Sequence, residues 1–252
     1  MSKSKTKDEI LNHKKKSIDT LDNYLTGLIG SGDVDKESKA DKLSYWLTDW
    51  TRFLDFEERF SPMSLRRYKR GEIIKVHLGF NIGSEEGGLH YAVVVDKKNA
   101  KSSPVVTIVP LTSVKPSTDL GKLKNGTLFL GNELFTNLSA KVSSTNKHLT
   151  DELALLQKLV DEMNLSTSKE DFDAIKQKIA AAKAELELLN RMRKEVLSMK
   201  IGSIALVNQI TTVSKIRIYD PKTDHDILSN IKLSNEKLDL IDKEICKLYT
   251  NV

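Results

Sequence analysis

With a single cysteine, Cys246, in 252 residues, the chain can form neither an intrachain disulfide nor a thiolate metal cluster. A reducing compartment suits such a protein, and an inert thiol buried on an apolar helix is expected. No apolar run approaches the ~20 residues that a membrane-spanning helix needs. The opening Met1-Ser2-Lys3-Ser4-Lys5 leads into a charged segment without an apolar signal stretch. A cytoplasmic protein with no membrane attachment is the expectation. Also missing are internal repeats, low-complexity tracts, a glycine-rich phosphate loop with its lysine, and a serine nucleophile elbow.

Metal-ligand patterns are missing too. The run Asp33-Val34-Asp35-Lys36-Glu37 opens like a calcium loop, yet Ser38 and Ser44 stand where glycine and glutamate are required. The stretch Asp220-Pro221-Lys222-Thr223-Asp224-His225-Asp226 is built of turn formers and reads as a turn. No metal and no cofactor is expected.

What is present is the composition of a folded protein: 39% hydrophobic and 30% charged residues are too apolar for global disorder. The length allows one elaborated domain or two modest ones. Forty Lys+Arg against 35 Asp+Glu give a formal charge of +5, a balance that attracts polyanions only weakly. Local basic runs say more. Lys14-Lys15-Lys16 reads as a solvated helix face, whereas Arg66-Arg67-Tyr68-Lys69-Arg70 immediately precedes the first strand.

Hydrophobic periodicity organises the chain. Ile18, Leu21, Leu25 and Leu28 mark an amphipathic helix that ends at Gly30-Ser31-Gly32-Asp33. Leu43, Trp46, Leu47, Trp50, Phe53 and Leu54 mark a second, stopped by Ser61-Pro62, with its aromatic stripe expected in a core. From Gly71 the period becomes two, and strands are predicted at 72–78, 91–95 and 105–110, with weaker ones at 127–130, 203–207 and 216–219. A helical hairpin is predicted over 147–199, with Thr167-Ser168-Lys169-Glu170 as a capping box between its halves. Ser234 is a candidate N-cap for a last helix carrying Leu238, Ile241, Ile245 and Leu248 on one face.

The chemistry gathers around the first strands. Gly83-Ser84-Glu85-Glu86-Gly87-Gly88 is a connection that brings backbone close to whatever binds there. His90 opens the strand after it and Thr112 closes the next, which places both near one rim. On the residues alone, a plain hairpin with a surface histidine and threonine is the favoured reading, with a binding site as the alternative.

Taken together, Arg70-Gly71-Glu72, the loop Gly83–Gly88, the strand after Ser103-Pro104, Thr112-Ser113, and the later run Val207–Ile218 resemble the PemK/MazF toxins. These motifs cover roughly residues 66–116 and 203–249. The resemblance implies an α+β protein: an SH3-like β-barrel of the PemK/MazF (CcdB-like) type, with an N-terminal helical segment (1–65), an inserted helical hairpin (146–200) and a C-terminal helix. The barrel would be contributed by 66–145 and 201–252.

Its implied function is that of a type II toxin–antitoxin toxin, a homodimer that cuts single-stranded RNA such as mRNA without metal and is paired with a cognate antitoxin protein. In that chemistry the ribose 2′-hydroxyl attacks the adjacent phosphate, with His90 as general acid/base and Thr112 as a donor to the phosphate. Substrate contacts would come from Arg70, Gly83, Ser84, Glu85, Gly87, Gly88, Ser113, Asn208, Gln209, Lys215 and Arg217. Two positions depart from the family's pattern: His90 and Thr211 each stand where an arginine is usual. A histidine keeps a proton donor with an unperturbed pKa of ~6.5, but lacks arginine's permanent charge and bidentate fork. These departures keep a rival open, a non-catalytic nucleic-acid-binding or DNA-gyrase-inhibiting protein on the same fold.

Overall fold

The computed structural model describes residues 5–163 and 168–251. The chain divides into two compact units, Met1–Glu58 and Arg59–Val252. None of the described helices is long and apolar enough to cross a membrane.

The first unit is a pair of helices, α1 (Lys7–Ile29) and α2 (Val34–Glu57), packed on each other. A capping box starts α1: Thr6 Oγ1 accepts from the Glu9 amide at 3.2 Å, and the Glu9 carboxylate accepts from the Thr6 amide at 2.7 Å. The acidic run that fails as a calcium loop has a structural role instead. Asp33 caps α2 by accepting from the amides of Asp35 and Lys36, so this helix begins well before Leu43. Two helices can bury only a seam between them, and Ala40 is the fully buried residue there. The aromatic stripe is therefore only partly a core. Trp46 is half-buried and tilted against Phe53, but Trp50 lies off the seam and is 48% exposed.

The second unit is built on an antiparallel sheet of β1 (Ile73–His77), β2 (Leu89–Val94), β3 (Val105–Ser113), β4 (Thr127–Gly131), β5 (Ser203–Leu206), β6 (Thr211–Ser214) and β7 (Ile218–Asp220). Its order is β4-β5-β3-β2-β1-β7, with β6 also paired to β3. Among the described residues no ladder joins β7 to β4 or to β6, so the sheet does not close into the expected barrel. The mixed α+β class stands.

Period-two alternation assigns each strand residue to a face, and here both faces are buried. Ile73, Val93, Val109 and Leu111 point into one core. Ile74, Val76, Ala92, Val94, Val106 and Ile108 point into the other. This is why the strands read as nearly continuous apolar runs. The first core is roofed by α5 (Asn235–Tyr249), through Leu238 and Ile241, and by the start of α3 (Glu133–Asp161), through Leu134 and Leu138. The second is closed by Leu65, Tyr68, Val213 and Ile218.

Helices α3 and α4 (Lys169–Ser198) form the hairpin, joined by their own cluster of Leu149, Leu156, Ala182, Leu189 and Met192. The hairpin starts at Glu133, earlier than its strongest periodicity suggests. Ser168 caps α4 and accepts from the Asp171 amide at 3.1 Å, which replaces the expected Thr167/Glu170 box; Thr167 itself lies outside the described residues. Ser234 caps α5 as expected. Cys246 is exposed rather than buried, because it falls beside the stripe of Leu238, Ile241 and Ile245 and not on it.

Leu138 is fully buried where α3 meets the sheet, so Leu138→Ala removes packed methyl groups and leaves a cavity. A loss of about 2–5 kcal/mol in urea unfolding is expected. Leu153→Ala, at a position 50% exposed on the hairpin, is expected to change stability by no more than about 0.5 kcal/mol.

Candidate active site

The site begins with Pro110. This residue has no amide proton, so it has nothing to donate to a strand on either side. On one edge of β3, Leu111 pairs with Ala205 of β5 and Ile108 pairs with Thr211 of β6, so residues 206–210 stand opposite only 109 and 110. The surplus chain leaves the ladder at Pro110 as a 3₁₀ turn, Val207–Gln209, and carries Asn208 and Gln209 away from the sheet.

Gln209 meets the glycine-rich loop. Its Nε2 donates to the Ser84 carbonyl at 3.1 Å, and its Oε1 accepts from the Glu86 amide at 2.5 Å. Asn81 Nδ2 donates to the Glu86 carbonyl at 2.7 Å, so the backbone of Glu86 is held from both sides. The base of the loop is closed by backbone bonds from Leu78 N to the Gly88 carbonyl (2.7 Å) and from Gly88 N to the Gly79 carbonyl (2.6 Å). Two glycines are required by this path. Gly88 has φ +83°, and a Cβ on Gly87 would stand 2.9 Å from the Gly79 carbonyl oxygen.

Between this loop and the displaced turn lies a cleft of about 690 Å³, lined by Asn81, Ser84, Glu85, Glu86, Pro110, Asn208, Gln209, Thr211 and Arg217, with Leu78 and Val213 behind. Such a volume suits a small ligand or a few groups of a larger one. Arg217 brings a cation to the wall, its Nε donating to the His77 carbonyl at 2.8 Å. Burial lowers the guanidinium pKa, but an arginine keeps its charge regardless.

Parity places the two predicted chemical residues together. Tyr91 pairs with Leu111, so the continued register sets His90 beside Thr112, on the same face as Pro110 and Ile108. His90 Nδ1 lies 3.3 Å from the Leu111 carbonyl and Nε2 lies 3.0 Å from Glu86 Oε1. A carbonyl and an ionised carboxylate can only accept, so the two contacts are hydrogen bonds only with both ring nitrogens donating, an arrangement that favours the protonated imidazole. Glu86 raises the pKa of His90 by hydrogen bonding, against the opposing effect of burial. In return, the hydrogen bond from His90 lowers the carboxyl of Glu86.

The other expected contacts divide. Ser84, Glu85, Asn208, Gln209 and Arg217 line the cleft, and Gly83, Gly87 and Gly88 shape its loop, whereas Ser113 pairs with Ser203 in the sheet. Lys215 and Arg70 do not line it. Lys215 is buried; its ammonium donates to the Ala100 carbonyl at 3.0 Å and lies over the Tyr68 ring. Arg70 is bound by Asp242 of α5 and by the Val95 carbonyl, at the end of β2 remote from His90. Arg66, from the same basic run, bonds Glu72 and Asp224. Asn81 lines the cleft without any signal in the sequence, Thr211 lines it where the sequence leaves a contact in doubt, and Glu86, expected only as part of the loop, brings its carboxylate to His90. Glu86 was within reach, because a carboxylate four residues before His90 in a tight loop can fold back onto the ring.

The second unit is thus an α+β fold, an antiparallel sheet roofed by helices, with a polar cleft that His90 adjoins through Glu86. Residues 69–182 match the family model described as the PemK-like, MazF-like toxin of type II toxin–antitoxin systems, and over those residues the PemK/MazF resemblance of the sequence is shown. The match continues through α3 into α4, further than the motifs alone reach, while Val207–Ile218 lies beyond it. No curated protein matches the chain.

Replacing Gln209 by alanine removes the acceptor for the Glu86 amide, a bond worth about 0.5–1.5 kcal/mol. Hydrogen exchange at that amide is expected to accelerate by up to about tenfold, with protection in β2 and β3 unchanged.

Proposed function

We propose that the chain is a toxin-type endoribonuclease that cleaves single-stranded RNA by attack of the ribose 2′-hydroxyl on the adjacent phosphate, without a metal. The observation that carries this reading is the cleft: side-chain amides, hydroxyls, the carboxylates of Glu85 and Glu86 and one arginine line it, and His90 adjoins it through its 3.0 Å contact with Glu86. Donors of this kind suit a phosphodiester and the edges of unpaired bases. His90 serves as the acid/base group and, when protonated, supplies the positive charge that the family's arginine would bring. Thr112 donates to the scissile phosphate. Glu85, Ser84, Asn208 and Gln209 contact the RNA and Arg217 faces its backbone. The family match supports a place in a type II toxin–antitoxin system, with an antitoxin protein as partner, a homodimer as the working form and the cytoplasm as its location.

Purified protein incubated with a long RNA in excess EDTA is expected to produce fragments ending in a 2′,3′-cyclic phosphate. Cleavage that requires added magnesium, or intact RNA, would reject the reading, and intact RNA with tight binding would favour a non-catalytic interaction protein. His90→Ala is expected to lower cleavage by about 10²-fold or more while the protein stays folded, in line with the usual contribution of a general acid or base. His13→Ala and His225→Ala, on exposed positions, are expected to leave the rate within about twofold.

A further inference from the structure

The mechanism so far leaves one group unused. Glu86 lines the cleft, its backbone is fixed by Gln209 and Asn81, and its carboxylate stands 3.0 Å from His90 Nε2. The carboxylate is about a quarter exposed (26%), enough to meet a ligand in the cleft. With an acceptor facing each ring nitrogen, His90 offers no free lone pair to take a proton from the attacking hydroxyl. Another group must do so.

We propose that Glu86 is the general base of the reaction and His90 its general acid, the two working as one carboxylate–imidazolium pair. This rests on the ribonuclease reading above. The 2′-hydroxyl proton passes to the Glu86 carboxylate as the 2′-oxygen bonds to phosphorus. The bond from phosphorus to the 5′-oxygen breaks, and that oxygen takes the Nε2 proton that His90 had shared with Glu86. The products are a 2′,3′-cyclic phosphate and a 5′-hydroxyl. Glu86 is then protonated and His90 neutral, and transfer of one proton across the 3.0 Å contact restores the starting pair. No proton need come from solvent to reset the site.

The charged surroundings fit this division of labour. Around Glu86 stand His90 and, further off, Lys115, both of which favour its ionised form. Around His90 stand the Glu86 carboxylate and the Leu111 and Gly87 backbone, all of which favour its protonated form. Glu85 and Arg217 line the same cleft. The adjacent Glu85 has no such contact with the ring among the described residues.

The test is the pH dependence of kcat/KM on a long single-stranded RNA in EDTA, for wild type, Glu86→Gln and Glu86→Asp in the full chain. Activity needs Glu86 ionised and His90 protonated. The wild-type profile is therefore expected to be a bell that falls on the acid side below the ordinary carboxylate value of ~4.3 and on the alkaline side above the ordinary histidine value of ~6.5. The two limbs belong to the pair, as for any strongly coupled groups.

Glu86→Gln is expected to lower the rate about 10²–10⁴-fold, abolish the acid limb and move the alkaline limb down. The His90 titration followed by NMR would move down with it. Glu86→Asp keeps the carboxylate and is expected to retain the acid limb at a reduced rate. Cleavage by wild type that is unchanged in rate and profile in Glu86→Gln overturns this proposal alone, as does a glutamine variant that is slow yet keeps both limbs. RNA left intact by wild type at every pH overturns the ribonuclease reading and this proposal together.

Discussion

Pro110 has no amide hydrogen, and the site follows from that deficiency. A strand partner running along β3 loses a ladder bond at a residue that donates nothing, and it is there that the chain from β5 to β6 leaves the ladder as a turn. The released turn carries the two amide side chains that reach across to the glycine-rich loop, and the loop in turn fixes Glu86 against His90. One cyclic side chain thus couples the ladder, the cleft and the placement of the chemical groups. The glycines of the loop are needed because the path so imposed leaves no room for a Cβ at Gly87.

Charge is distributed by a second rule. Most of the buried and partly buried ionic groups hold segments together: Arg66 with Glu72, Arg70 with Asp242, Lys75 with Glu195, and Lys141, whose ammonium donates to the carbonyls of Asp226, Ile227 and Ser229. A charge removed from water needs such partners, and losing one leaves the other uncompensated. Burial accordingly lowers the pKa values of Lys141 and Lys215 and raises that of Asp220. The Glu86–His90 pair differs from these because it opens on a cleft, so a ligand can reach it without dismantling the core.

The strands were legible because residues buried on both faces leave long β-branched runs, and glycine and proline mark their ends. The rim position of His90 and Thr112 followed from the same boundaries. Strand β6 was not legible, since Thr211-Thr212 is short and polar and takes its place through pairing with β3 and the burial of Val213. The early start of α3 was carried by Leu134, Leu138 and Val142 at spacings of four, diluted among polar neighbours. Arg70 and Lys215 look like nucleic-acid contacts in sequence because a basic residue near a motif is read as exposed; their carbonyl and carboxylate partners come from distant segments. Which of Glu85 and Glu86 meets His90 depends on the trajectory of the loop and on Gln209, more than a hundred residues away.

The helical hairpin leaves the sheet after β4 and returns at β5, and these two strands are hydrogen-bonded neighbours. Its two ends are therefore held side by side whatever lies between them, as in an ordinary hairpin turn of great length. Leu134 and Leu138 at its beginning and Glu195 and Val196 at its end belong to the sheet's own packing, while the next layer is sealed within the pair by Leu149 and Leu189. Beyond that layer the entropy of closing the connection grows only slowly with its length. The outer hairpin is thus a place where the chain can lengthen or shorten by whole helical turns while the ladder keeps its register and the cleft its lining.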